Sequence, residues 1–207
     1  ISPHTPECFL RIKLLSPVPA HSVPAFVPES PREMSLKINV RAVQPIKETA
    51  DVIAIGVFSS FASTKKGQKS PLDGFDRAVG GALTKQIRKD NFRGKKDQTL
   101  SIATFGKTVK AARLVVYGLG DESLVTDADI RMFAAKAARM ANGEKAKRLV
   151  IGLPHGLSTR LRFVAEGVEL GAYRFTKYLT GDRAPKASLS TVTITMAETP
   201  LPIAKSD

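Results

Sequence analysis

The chain has 207 residues, of which 43% are hydrophobic and 25% are charged, a balance typical of one soluble globular domain with a tail. No apolar run approaches the roughly 18 residues of a membrane span, so no membrane partner is expected. A single cysteine, Cys8, excludes an internal disulfide framework and a zinc site built from several thiolates, and it fits a cytoplasmic protein. The net charge of +13 makes nucleic acid a candidate partner.

Residues 1–33 differ from the rest of the chain, because they contain seven of the thirteen prolines. Proline at this density disfavours helices and interior strands, which predicts a disordered lead-in over residues 1–33. The chain begins with Ile1, and regular patterns start just after Met34. We therefore expect translation of the native protein to begin at Met34, with the lead-in as upstream or artificial sequence.

The first elements after Met34 are two strands and a helix. Alternating apolar positions over Leu36–Val43 predict a half-buried strand, and the continuous apolar run Val52–Phe58 predicts a strand buried on both faces. Ser70-Pro71 has the pattern of a helix start, with Asp73 completing a capping box. The helix is predicted to continue to Ile87, weakened by Gly80-Gly81.

Strands and helices then alternate to the end of the ordered sequence. Thr126 with Asp129 forms a second capping box, and the helix behind it carries an alanine-rich stripe suited to close packing against a sheet. The other predicted elements are strands Thr99–Phe105, Arg113–Tyr117, Arg148–Leu153 and Thr191–Met196, and a long helix Ser158–Leu179. This order predicts a single α/β domain with a mixed, largely parallel sheet flanked by helices.

Three groups of residues carry a resemblance to a known family. The first is Phe92-Arg93-Gly94-Lys95 with Gln98-Thr99-Leu100, and the second runs from Ala112 to Gly120 and on to the alanine-rich helix. The third is Glu166-Gly167 followed by Leu170-Gly171-Ala172-Tyr173-Arg174-Phe175 and by Lys177-Tyr178. In this order and spacing the chain resembles the amino-terminal domain of the leucyl (cytosol) aminopeptidase family.

The resemblance implies a macro-domain-like fold over residues 34–198, with residues 199–207 beginning a connection to a separate catalytic domain. It also implies a hexameric enzyme whose carboxy-terminal half holds two divalent metal ions, zinc or manganese. The family's Asn-Thr-Asp-Ala-Glu-Gly-Arg signature is absent, since Asn39, Asn91 and Asn142 are followed by Val, Phe and Gly. We therefore expect no catalytic, cofactor-binding or metal-binding residue in this chain, and a role in assembly and regulation beside its own catalytic domain.

A basic cluster supports an alternative function. Nine basic residues between positions 85 and 113 face only two acidic ones, Asp90 and Asp97. Some bacterial members of the resembled family use this domain to bind DNA, so the cluster is a candidate nucleic-acid contact whose affinity should fall steeply with salt. Its residues are Lys85, Arg88, Lys89, Arg93, Lys95, Lys96, Lys107, Lys110 and Arg113.

Other residues admit chemical interpretations that we rate below structural ones. Gly118-Leu119-Gly120 lacks the third glycine of a dinucleotide fingerprint, which favours a tight turn over a phosphate cradle. His155 has no catalytic partner nearby in sequence, and Glu166 and Glu169 have Arg162 and Arg174 within helical reach. Tyr173, Phe175 and Tyr178 could stack bases, although a place in the core, for Phe175, and on an interdomain surface is favoured. A free-standing macro-like domain that binds ADP-ribose is a third hypothesis.

Overall fold

The computed structural model describes residues 36–63, 70–104, 109–174 and 189–196. The predicted lead-in over residues 1–33, the proposed start at Met34, the connection over residues 199–207 and Lys107 lie outside the described residues. The strands are β1 Lys37–Arg41, β2 Val52–Phe58, β3 Thr99–Ala103, β4 Arg113–Gly120, β5 Arg148–Leu153 and β6 Thr191–Met196. The helices are α1 Asp73–Ala78, α2 Ala82–Lys89, α3 Asp127–Gly143 and α4 Leu161–Ala172.

The six strands form one sheet in the order β1-β6-β5-β2-β4-β3. In this order, the five strands β1, β6, β5, β2 and β4 are parallel to one another. The sixth strand, β3 at the edge, is antiparallel to its neighbour β4. Parallel pairing requires a crossover between strands, which the chain supplies with helices. The predicted mixed, largely parallel sheet is confirmed.

Helices cover both faces of the sheet, which explains why the sequence of β2 is apolar throughout. All seven residues of β2 are buried. Ile53, Ile55 and Val57 lie in the core on the α1 and α2 side, whereas Val52, Ala54 and Phe58 lie in the core on the α3 and α4 side. Alternate side chains of a strand point to opposite faces, so a strand covered twice needs apolar residues at every position. None of the helices in the described ranges is long and apolar enough to cross a membrane.

Helices α3 and α4 approach each other closely at small residues. A Cβ atom built on Gly167 would lie 2.3 Å from the carbonyl oxygen of Arg131, and one on Gly171 would lie 2.4 Å from that of Ala135. Four alanines of α3, Ala134, Ala137, Ala138 and Ala141, are buried in the core shared by the sheet and α4. The alanine stripe predicted to pack on a sheet therefore serves the helix–helix contact as well.

Several predicted boundaries were wrong. The single helix predicted to continue from Ser70-Pro71 to Ile87 is two helices, because Gly80 and Gly81 take left-handed φ angles of 63° and 79° and end α1. Its capping box is half formed, since Asp73 accepts a hydrogen bond from the Ser70 amide but the Ser70 hydroxyl accepts from Leu72. The predicted helix Ser158–Leu179 begins as a 3-10 turn and its α-helical part ends at Ala172.

Two predicted strands also differ from the structure. The half-buried alternation predicted for Leu36–Val43 is present only at its start, where Leu36 and Ile38 are partly buried against the core, whereas Val40 keeps 49% of its surface accessible. A strand at the sheet edge has one neighbour and is easily left uncovered. Strand β4 continues through Gly118 to Gly120, where the sequence predicted an end at Tyr117. The capping box of Thr126 and Asp129 at the start of α3 is confirmed.

Candidate functional site

The carboxyl ends of the parallel strands form the edge of the sheet where open α/β folds bind ligands. Ser59 and Ser60 follow β2, and Asp121–Ser123 follow β4, and together they line an open cavity of about 610 Å³. The Asp121 carboxylate accepts hydrogen bonds from the Ser123 amide and hydroxyl at 3.0 and 2.8 Å, and these bonds lower the pKa of Asp121. The negative charge of Asp121 repels the phosphates of ADP-ribose, so this cavity is poorly suited to bind that nucleotide.

The Gly118-Leu119-Gly120 segment, considered above as a phosphate cradle, is occupied by the protein's own backbone. A Cβ on Gly118 would lie 2.1 Å from the carbonyl oxygen of Lys95. The Gly118 amide donates to the Gln98 carbonyl at 2.8 Å, and the Gly120 amide donates to the Gly94 carbonyl at 3.0 Å. These amides are therefore not available to a phosphate. Of the two glycines of the predicted tight turn, Gly120 has a left-handed φ of 84°, whereas Gly118 lies within β4.

The partner of this segment is the loop of residues 93–98, called here the 93–98 loop. The Gln98 side-chain oxygen accepts hydrogen bonds from the amides of Arg93 and Lys95 at 2.8 and 3.1 Å, which closes the loop on itself. Gly94 has a φ of 67°, and a Cβ there would lie 2.8 Å from the Phe58 carbonyl oxygen. Two of the three sequence groups that carried the family resemblance are thus in direct backbone contact.

Two ion pairs attach the 93–98 loop to α3. The Lys96 ammonium lies 2.6 Å from the Asp129 carboxylate, and the Lys136 ammonium lies 2.5 Å from Asp97. The hydrogen bond from Lys96, together with those from the Thr126 amide and hydroxyl, lowers the pKa of Asp129 to about 2. The same contact raises the pKa of Lys96. Lys96 and Asp129 are therefore both charged at neutral pH, and Lys96 is already paired.

The structure does not place the basic cluster on one continuous surface. Lys85, Arg88 and Lys89 are exposed on α2, and the 93–98 loop follows that helix. The 93–98 loop contacts the carboxyl end of β4 at Gly118 and Gly120, whereas Lys110 and Arg113 lie at its amino end. The rise per residue of a strand puts these two ends roughly 20 Å apart. Arg113 is also engaged, since its guanidinium contacts Glu144 at 3.2 Å and the Ser101 hydroxyl at 3.1 Å. Among the described members, Arg88 and Arg93 border the same groove, whereas Lys96 is paired with Asp129 of α3.

The other residues that the sequence suggested for a chemical role are either held in ion pairs or exposed on the surface. Glu166 contacts Arg131 at 2.6 Å and Arg162 at 2.8 Å, and these two bonds lower its pKa. The predicted ion pair of Glu166 with Arg162 is confirmed, and Arg131 of α3 is a second partner. Arg174 lies beyond the end of α4 at Ala172. His155 is exposed in the loop after β5, and Tyr173 is 72% exposed at the end of α4. Phe175 and Tyr178 lie outside the described residues.

Metal-binding side chains are not brought together in the described part of the chain, where no group of three histidine, cysteine, aspartate or glutamate residues could hold an ion. The described residues therefore offer no donor set for the two-metal centre that the family resemblance implies elsewhere.

One site was missed by the sequence reasoning, a groove of about 500 Å³ bordered by α1, α2 and the residues that follow α2. It is called here the α1–α2 groove. Its floor includes the buried side chains of Leu72, Leu83 and Phe92, and its rim includes Arg88 and Arg93. The available signal was Gly80-Gly81, because a break in an amphipathic helix turns one apolar stripe into two facing walls.

One match to known proteins is long enough to show the family of this chain. Residues 54–182, more than half of the chain, match the family model described as the cytosol aminopeptidase family, N-terminal domain. The chain belongs to the cytosol aminopeptidase family. The match includes most of β2, the strands β3 to β5, the helices α1 to α4 and the 93–98 loop.

Cytosol aminopeptidases are also among the similar individual proteins. A probable cytosol aminopeptidase of Alkaliphilus oremlandii is 35% identical over 153 residues, which is 72% of this chain and 30% of the relative. One of Caulobacter vibrioides is 35% identical over 124 residues, 59% of this chain and 25% of the relative. The structure of a tomato leucine aminopeptidase mutant has a TM-score of 0.66 at 20% identity, over 81% of this chain and 34% of that one, and so shows the same fold. The matched part of the chain is about a third or less of each relative's length.

Proposed function

We propose that this chain is a non-catalytic amino-terminal domain of a metal-dependent, cytoplasmic leucyl aminopeptidase. In this proposal a separate carboxy-terminal domain holds two zinc or manganese ions and removes amino-terminal residues from peptides. This chain assists the assembly of the enzyme into a hexamer and regulates the enzyme. The observation that carries the proposal is the match of residues 54–182 to the amino-terminal domain model of the cytosol aminopeptidase family.

Exposed apolar side chains support the assembly role. Leu170 and Tyr173, near the end of α4, are 67% and 72% exposed, and Leu124, before α3, is 75% exposed. Apolar side chains are normally left in water only singly, and groups of them mark surfaces that another protein covers. Leu170 and Tyr173 are three residues apart, so within the described part of the chain they form an apolar surface suited to contact the catalytic domain or a neighbouring subunit.

A chimera tests this function. Residues 36–196 would replace the matching amino-terminal segment of the Alkaliphilus oremlandii relative, and the same relative without that segment would serve as control. We expect light scattering to show a hexamer for the chimera, with hydrolysis of leucine p-nitroanilide in the presence of Mn²⁺, and a smaller, less active species for the deletion. Identical behaviour of the chimera and the deletion would contradict the assembly role. Hydrolysis by the 207-residue chain alone would contradict the non-catalytic one.

A second candidate function is nucleic-acid binding through α2 and the 93–98 loop. It is favoured by Lys85, Arg88 and Lys89, which are exposed and form no salt bridge with any described residue. In a gel-shift experiment with double-stranded DNA, affinity should fall steeply between low and high salt because counterions are released. Changing all three residues to glutamine should flatten that slope by about one per lost phosphate contact, whereas Arg139→Gln on α3 should not. A salt-independent or absent shift would reject this function.

A further inference from the structure

The end of α3 contains an asparagine followed by a glycine, a pair with a chemistry of its own. Asparagine is one of the chemically labile residues of proteins, because the backbone nitrogen of the next residue can attack its side-chain carbon. A β-carbon on that next residue hinders the approach, and glycine has none. Of the three asparagines of the chain, only Asn142 precedes a glycine, whereas Asn39 precedes Val and Asn91 precedes Phe.

The reaction is a deamidation in which water is the co-reactant. The Gly143 nitrogen forms a bond to Cγ of Asn142, the bond from Cγ to Nδ2 breaks, and ammonia leaves with the proton that the Gly143 nitrogen gives up. The product is a cyclic imide, which water opens at either of its ring C–N bonds. Opening at Cγ leaves an aspartate in place of Asn142. Opening at the main-chain carbonyl carbon leaves an isoaspartyl residue, whose main chain is longer by a carbon atom.

The fold restrains both reacting groups. Asn142 is 6% exposed, its side-chain nitrogen donates to the Ala172 carbonyl at 3.2 Å, and its oxygen accepts from the Leu189 amide at 3.0 Å. Asn142 and Gly143 also belong to α3, whose backbone has helical dihedral angles. Closure of the imide ring needs a different ψ at Asn142 and a side chain turned toward its own main chain. The reaction therefore requires the end of α3 to open.

Opening at this point concerns a helix end and not the centre of the core. The residues from Gly143 to Lys145 are exposed, and helix ends open at lower free energies than core elements. We propose that Asn142 is a deamidation site which the fold protects, and that its conversion keeps the end of α3 from closing again on Ala172 and Leu189. An ionised aspartate has no donor for the Ala172 carbonyl, and an isoaspartyl residue displaces the main chain. The site stands on these contacts and does not depend on the proposed function.

Peptide mapping by mass spectrometry of the 207-residue chain tests the site. The chain is kept in mildly alkaline buffer, with and without guanidinium chloride at an unfolding concentration, and is sampled over time. We expect conversion of Asn142 to aspartate and isoaspartate in guanidinium, and conversion at least about tenfold slower in the folded chain, where only the opened fraction reacts. Asn39 and Asn91 should convert far more slowly than Asn142 in guanidinium. Equal rates at Asn142 in the two conditions, or no faster conversion there than at Asn39, would overturn the proposal.

Gly143→Ala tests the attacking nitrogen. Nothing lies within 4 Å of the added carbon, so the fold accommodates it. Conversion of Asn142 in guanidinium should fall to the rate of Asn39, and an unchanged rate would contradict the assigned chemistry.

The consequence for the fold is measured on the converted chain itself. Ion exchange separates the converted fraction by its added negative charge, and both fractions are then refolded. The converted fraction should unfold at a lower guanidinium concentration than the unconverted one. The same unfolding midpoint for both would show that conversion of Asn142 does not keep the end of α3 open.

Gly171→Ala tests whether the contact of α3 with α4 protects Asn142. Its Cβ would lie 2.4 Å from the Ala135 carbonyl oxygen, so the two helices must separate. Conversion of Asn142 without denaturant should then be about tenfold faster. Gly74→Ala in α1, where nothing lies within 4 Å of the added carbon, is the matched control and should leave the rate unchanged. No acceleration in Gly171→Ala, or equal acceleration in both variants, would overturn the protection by this contact.

Discussion

Gly167→Ala is expected to lower the free energy of unfolding by about 2–3 kcal/mol, because the new methyl group has no space between α3 and α4. Its carbon would lie 2.3 Å from the Arg131 carbonyl oxygen and 2.9 Å from the Ala134 Cβ. The first of these is a backbone atom, so no side-chain rotation relieves the overlap and the two helices must separate. Alanine's higher helix propensity, worth about 1 kcal/mol, offsets only part of this cost.

Urea unfolding followed by circular dichroism measures this effect. Gly171→Ala should behave in the same way, because its Cβ would lie 2.4 Å from the Ala135 carbonyl oxygen. Gly143→Ala, in the last turn of α3, is the matched control, since nothing lies within 4 Å of the added carbon. The control should change stability by less than about 1 kcal/mol. Equal effects at Gly143 and Gly167 would show that the close helix contact does not set the stability.

Asn142→Asp should destabilise the domain by about 3 kcal/mol, because it places a charge among buried groups and removes a needed donor. Asn142 is only 6% exposed. Its side-chain nitrogen donates to the Ala172 carbonyl at 3.2 Å, and its oxygen accepts from the Leu189 amide at 3.0 Å. One side chain thus joins the end of α3 to the end of α4 and to the residues before β6. An aspartate keeps the shape and the acceptor but cannot donate to Ala172 when ionised.

Asn39→Asp gives the matched control for this change. Asn39 is exposed on the edge strand β1, where the same alteration meets water, and its effect should stay within about 0.5 kcal/mol. Thermal unfolding at neutral pH compares the two variants with the unchanged chain. If Asn142→Asp were as stable as Asn39→Asp, the two hydrogen bonds of Asn142 would not be what holds α4 and β6 to α3.

Local patterns were sufficient for most of the fold. The apolar run of β2 predicted a strand covered on both faces, and its bounds in the structure are the predicted Val52–Phe58. The capping box of Thr126 and Asp129 predicted the start of α3, and all its hydrogen bonds are present. These predictions succeeded because the residues involved are neighbours in sequence, so the interactions that define the element are already contained in the pattern.

Predictions failed where the deciding partner is distant in sequence. Gly118 was interpreted as part of a turn, yet it lies within β4, where it pairs with Val57 of β2 and the backbone of Lys95 passes against it. The basic cluster was treated as one surface, but Arg113 lies at the far end of β4 and is bound to Glu144. The α1–α2 groove was missed because it needs two helices brought face to face. Each of these features depends on two segments that are distant in sequence, so a periodic pattern within one segment does not predict it.

The sequence by itself determined the α/β alternation and, through three groups of residues that lie far apart in the chain, the family to which it belongs. Family membership can be read this way because residues such as Gly94, Gly167 and Gly171 mark positions where backbone meets backbone, and there only glycine fits. Which backbone meets which was decided by the tertiary structure alone. Packing joined the 93–98 loop to β4 and α3 to α4, separated the charges that adjoin in sequence, and opened the groove between α1 and α2.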